Sequence, residues 1–117
     1  MLIGELAERT GSSTRALRHY EDQGLLAPTR DTNGYRHYDT TDATRVEQIK
    51  AMIAAGMNTQ AIRRFLDCAR NQDQSIILEM CPDLRAELDA IAERLEAQQR
   101  RLAQTRLQLS SITGACL

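Results

Sequence analysis

Two short helical patterns punctuated by a glycine, a tight-turn dipeptide between extended residues and four apolar heptads near the end predict the fold class. It is mainly α: a winged helix-turn-helix unit with an added helical hairpin, then a long C-terminal helix that pairs as an antiparallel coiled coil. The expected boundaries are 1–70 for the winged unit and hairpin, 71–81 for a connecting loop, 82–113 for the dimerisation helix and 114–117 for a tail.

In IGELAERTG, Ile3, Leu6 and Ala7 recur at helical spacing, and Gly11 can end the helix in a left-handed conformation. Ser12 or Ser13 then caps a second helix running to about Gln23, with Gly24 as its terminator. Pro28 and the Asn33-Gly34 dipeptide break the next stretch into two short extended pieces, the second holding Tyr35, Arg36, His37 and Tyr38. That is a small β wing. Asp39-Thr-Thr-Asp42 caps a third helix through about Ala55, with Val46, Ile49 and Ile53 on one face, and Gly56 closes it. Asn58 or Thr59 caps a fourth, in which Ile62, Phe65 and Leu66 face a core.

Residues 71–80 read as a connection with an apolar patch at Ile76, Ile77 and Leu78, and Pro82 suits the first turn of a last helix. From Leu84, apolar positions alternate steps of four and three through Leu88, Ile91, Leu95, Leu102, Leu109 and Ile112, with polar breaks at Gln98 and Thr105. Such a helix is roughly 45 Å long. It is too long to bury its seam against a small globule, so a homodimer is expected.

Composition narrows the class. A net charge of -1 announces no bulk basicity, although 14 of the 15 basic residues are arginine and residues 1–70 carry +1 against -2 for 71–117. The first residues offer no basic, apolar export signal, and no apolar run is long enough for a bilayer. Three cysteines without such a signal imply reduced thiols and a cytoplasmic location rather than a disulfide framework.

The segment IGELAERTGSSTRALRHYEDQGLLAPTRDTNGYRHYDTTD resembles the N-terminal DNA-binding domain of MerR-family (mercury-resistance-type) transcription regulators. AMIAAGMNTQAIRRFL is similar to that family's second helical pair, and the last helix matches its dimerisation helix. The resemblance covers nearly the whole chain, and RALRHYEDQGLL followed by NGYRHY is its most specific part. It implies a non-enzymatic regulator that binds double-stranded promoter DNA as a homodimer. In response to an effector such a protein bends and untwists an overlong spacer so that RNA polymerase engages both promoter elements.

Within that frame Arg18 and Tyr20, beyond the first turn of the second helix, suit phosphate contacts. Ser13, Thr14, Arg15 and His19 occupy the entering end and exposed face, where base edges are read, with Arg15 the candidate for guanine. Arg36 and Tyr38 would grip flanking backbone or minor groove from the wing. The alternative is that Tyr20 and Tyr38 pack inside the domain while the arginines are solvated.

The effector candidates are Cys68, Cys81 and Cys116. An antiparallel pairing centred on Gln98-Gln99 sets Leu95 against the partner's Leu102, Leu88 against the partner's Leu109 and Cys81 against the partner's Cys116. Metal-sensing relatives carry thiols in this arrangement, but with a further loop cysteine that this sequence lacks. Two thiolates suit linear Cu(I), Ag(I) or Hg(II) and leave a four-coordinate zinc short of ligands. Cys81 before Pro82 also resembles non-metal members with a cysteine near each end of the loop, which implies thiol redox or electrophile sensing. Against both stands plain packing of Cys68 and a frayed tail at Cys116. No cofactor is required by the pattern. Two other classes compete: an effector-free, excisionase-like architectural DNA binder, and a thiol enzyme for which no base or acid pair is in evidence.

Overall fold

The computed structural model describes residues 1–113 and divides into two units, Met1–Glu79 and the chain from Met80 onward. In the first, α1 (Ile3–Thr10) ends at Gly11, whose φ of 66° is the left-handed cap expected of it. Helix α2 (Thr14–Asp22) opens on Ser13, whose hydroxyl oxygen accepts the Ala16 N–H at 3.0 Å. The wing comes next as β1 (Thr29–Arg30) and β2 (Arg36–His37), antiparallel with Thr29 opposite His37 and Arg30 opposite Arg36. Helix α3 (Thr40–Ala54) starts from a reciprocal capping box between Asp39 and Asp42, and α4 (Thr59–Phe65) from the Asn58 side chain.

Leu6, Leu17, Val46, Ile49 and Ile62 are fully buried and form the centre of this unit's core. They come from all four helices, so α2 is held on a framework that a single helical hairpin could not supply. Two long side chains finish the helix ends. Lys50 of α3 donates to the carbonyl of Thr10 at the end of α1, and Arg63 of α4 donates Nε–H to the Gln23 carbonyl after α2 at 2.8 Å. Both take up carbonyls that a helix C-terminus leaves without partners.

Three readings of the sequence need correction. Ile53 is 44% exposed and Met52 takes its expected place inside, because the buried stripe of α3 advances in threes through Ala43, Val46, Ile49 and Met52. The wing turn is not a two-residue Asn-Gly hairpin. Asp31 organises it, its carboxylate accepting the N–H groups of Asn33 (2.9 Å) and Tyr35 (3.0 Å), while Gly34 supplies the positive φ.

The third concerns the segment read as a connection. After one 3₁₀ turn (Leu66–Cys68), β3 (Ala69–Gln72) pairs with β4 (Ser75–Leu78) across Asp73 and Gln74, both at positive φ. Two such residues in sequence make the turn whose twist suits a tight hairpin. Asp and Gln in place of the usual Asn-Gly hid it. The buried Gln48 of α3 donates to Asn71 Oδ1 at 3.2 Å and ties the hairpin to the helices.

In the second unit α5 runs unbroken from Pro82 to Thr113, 32 residues. Leu95, Leu102, Leu109 and Ile112 of the heptad series are all more than half exposed in the single chain. No helix is long and apolar enough to cross a membrane among the described residues.

Candidate nucleic-acid interface

Helix α2 is two-faced because its apolar residues sit three apart. Leu17 and Tyr20 point inward, which leaves Arg15, Arg18 and His19 exposed on the outer face. None of these three side chains has a hydrogen bond or ion pair among the described residues. Two guanidiniums without internal partners on a rigid helix are an arrangement ready for an external anion. Thr14 is half-buried at the helix start, and Ser13 is exposed with its oxygen engaged as the cap.

The wing behaves differently. Arg36 donates Nε–H to Glu21 Oε2 at 2.6 Å, and Arg30 reaches Glu21 Oε1 at 3.4 Å and the Gly34 carbonyl at 3.0 Å. Glu21 therefore clamps both strands of the wing to α2 through a side chain only 19% exposed. Arg36, expected to grip DNA, thus already holds an ion pair within the protein, and its hydrogen bond to Glu21 holds its guanidinium above the usual arginine range. Sequence reasoning missed Glu21 altogether. Its one visible signal was a carboxylate in the last turn of a helix otherwise suited to phosphate.

The rings of the two tyrosines follow the packed alternative. Tyr20 is 7% and Tyr38 3% exposed, so both rings are core residues. Burial pushes both phenols up from their ordinary range. The Tyr38 hydroxyl is sealed and has no hydrogen-bond partner among the described residues. The Tyr38 N–H donates to the Met1 carbonyl at 2.7 Å, which ties the chain just after β2 to its start.

Arg18, Tyr35 and Arg36 line one groove of about 590 Å³ together with the first turn of α1, from Leu2 to Glu5. Arg15 and His19 are not part of it. Tyr35, at the tip of the wing turn, is 64% exposed. Across the wing His37 Nε2 lies 2.9 Å from Asp31 Oδ2.

This last contact has a pH signature. The hydrogen bond with His37, and then those from the Tyr35 and Asn33 amides, hold the Asp31 carboxyl below the usual carboxylate range. A lowered pKa in the folded state favours the ionised form. Its contribution is complete above the ordinary value of about 3.9 and is lost as pH falls through the lowered one. Hydrogen exchange at the Tyr35 amide should accordingly show constant protection, once corrected for intrinsic rate, down to about pH 4 and fall below that. Protection unchanged far into acid would dismiss Asp31 as the organiser of the turn.

Cys68 and Cys81 are both half-buried free thiols, and Cys81 Sγ accepts the Leu84 N–H at 3.4 Å at the head of α5. Cys116 lies outside the described residues. Among those described, no three His, Cys, Asp or Glu side chains gather as a metal site.

Residues 1–68 match the model of the MerR HTH family regulatory proteins. The chain is 29% identical over 116 residues to the HTH-type transcriptional regulator HmrR of Rhizobium leguminosarum bv. viciae, covering 99% of this chain and 86% of that protein. It is 48% identical over 66 residues to the nodulation protein NolA of Bradyrhizobium sp. (strain NC92), covering 56% of this chain and only 28% of NolA. Among solved structures it is similar to the transcription regulator PbrR691 from Ralstonia metallidurans CH34 in complex with lead(II). The TM-score there is 0.76 at 27% identity, over 95% of this chain and 84% of that one. With the helix-turn-helix, the wing and the exposed arginines of α2 in place, the chain belongs to the MerR HTH family, regulators of transcription that bind DNA through this motif.

Proposed function

We propose that the protein acts as a homodimer on promoter DNA, its two α2 helices entering the major groove while antiparallel α5 helices hold the subunits together. Arg15 reads a base edge, Arg18 holds the phosphate backbone, and Thr14 and His19 flank them. A change at the effector end, with Cys68, Cys81 and Cys116 as candidate groups, alters the distortion of the promoter spacer. The observation that carries this reading is the outer face of α2. Among the described residues its arginines have no internal partner, whereas both wing arginines are bonded to Glu21.

The test uses an operator selected by the full chain from random duplexes, and a scrambled duplex beside it. Arg18→Ala should weaken binding to both and lower the slope of log K against log salt by about 1, one released counterion. Arg15→Ala should cost about 1–3 kcal/mol on the operator alone. Equal losses for Arg15→Ala on both duplexes would make it a phosphate contact. An unchanged salt slope for Arg18→Ala would remove α2 from the interface.

A further inference from the structure

The wing presents an arrangement that DNA binding by α2 does not itself require. Arg30 and Arg36 stand directly opposite each other in the β1–β2 ladder, where like charges repel. Glu21 lies between them, with its two oxygens 3.4 and 2.6 Å from their guanidiniums. The same helix carries Arg15 and Arg18, which no carboxylate among the described residues neutralises. One short segment thus holds two arginines open and two arginines masked. Arg36 uses only its Nε–H on Glu21, and a guanidinium has five donors, so it keeps the capacity to meet a phosphate that comes to it in the right place.

We propose that Glu21 is a specificity-determining counter-charge that withholds the wing arginines from the phosphates of arbitrary DNA. This rests on the proposed interface and deepens it. Non-specific affinity comes almost wholly from cations that displace counterions from phosphate. An arginine already neutralised by a carboxylate displaces fewer of them. Only a duplex bent so that its backbone meets the wing at the bonded position of Arg36 recovers that contact, so the mask costs random DNA more than it costs the operator. The overall charge of -1 fits this economy, because the protein carries no surplus of cations to hold it on random sequence.

The test measures binding of the full chain to a random-sequence duplex of about 30 base pairs from about 50 to about 200 mM salt, with the selected operator alongside. Glu21→Gln keeps an acceptor for the wing and removes the charge. It should bind random duplex on the order of 10-fold tighter at the low-salt end, with a slope steeper by about 1–2, and so lose discrimination. Adding Arg36→Gln to that chain should cancel most of the gain, and Glu21→Asp, which keeps the charge, should restore the wild-type slope. Asp22→Asn removes the same charge from the next, exposed residue and should yield a smaller gain. Weaker or unchanged random binding by Glu21→Gln overturns the proposal. So does a gain that survives Arg36→Gln or is matched by Asp22→Asn. If Arg18→Ala loses binding while Glu21→Gln has no effect, the counter-charge alone fails; if Arg18→Ala binds as wild type, the interface reading fails and the counter-charge with it.

Discussion

A chain carrying Leu95→Glu is expected to sediment as a monomer at concentrations where the wild type is a dimer. Leu95 is 51% exposed and Leu102 69% exposed in the single chain, an unusual state for leucines in the middle of a 32-residue helix. In the proposed antiparallel register each meets the other across the dimer, so one substitution places a carboxylate in two dry layers. An unpaired buried charge costs on the order of 3 kcal/mol or more, and two of them raise the dissociation constant by about four powers of ten. Leu107 supplies the control, since it is 70% exposed but lies off the heptad seam. Leu107→Glu should leave the dimer intact. Equal sedimentation of the Leu95→Glu and wild-type chains would remove α5 from the interface, whereas dissociation by both variants would place the interface on another face of the helix.

Leu17→Ala should be the most destabilising single change in the first unit that leaves its charge untouched. Leu17 is fully buried on the inner face of α2, opposite Arg15 and Arg18. Truncating a leucine at such a site costs about 2–5 kcal/mol through lost transfer energy and the cavity left behind. For a domain of this size that lowers the melting temperature on the order of 10–30 °C. Ile53→Ala is the matching control. Its side chain is 44% exposed on α3, so the same chemistry should change stability by only about 0.5 kcal/mol. A calorimetric scan of both chains decides. A loss below about 5 °C for Leu17→Ala would mean that α2 is not anchored where the core places it. Operator affinity measured well below the transition should stay near wild type, because Leu17 faces away from the proposed DNA side.

The sequence by itself determined whatever is settled within a few residues. Ser13, Asp39 and Asn58 begin their helices, because a short polar side chain satisfies amides two or three positions ahead. Gly11 ends α1 because its own φ must be positive. The exposed face of α2 with Ser13, Thr14, Arg15 and His19 was also legible, whereas the inward turn of the Tyr20 ring was not. The β3–β4 hairpin escaped notice although it too is local, because Asp73 and Gln74 adopt a conformation that residues other than glycine and asparagine rarely announce. What only the tertiary structure decided is the choice of partner. Whether Arg36 faces water, phosphate or Glu21 depends on how the wing docks against a helix 15 positions earlier in the chain. Tyr38 could equally have been a donor at the surface, and in the fold its ring is buried while its backbone is bonded to Met1. A carboxylate and a guanidinium have no periodicity that names their partner. Their pairing is fixed by which surfaces the buried leucines and isoleucines bring together.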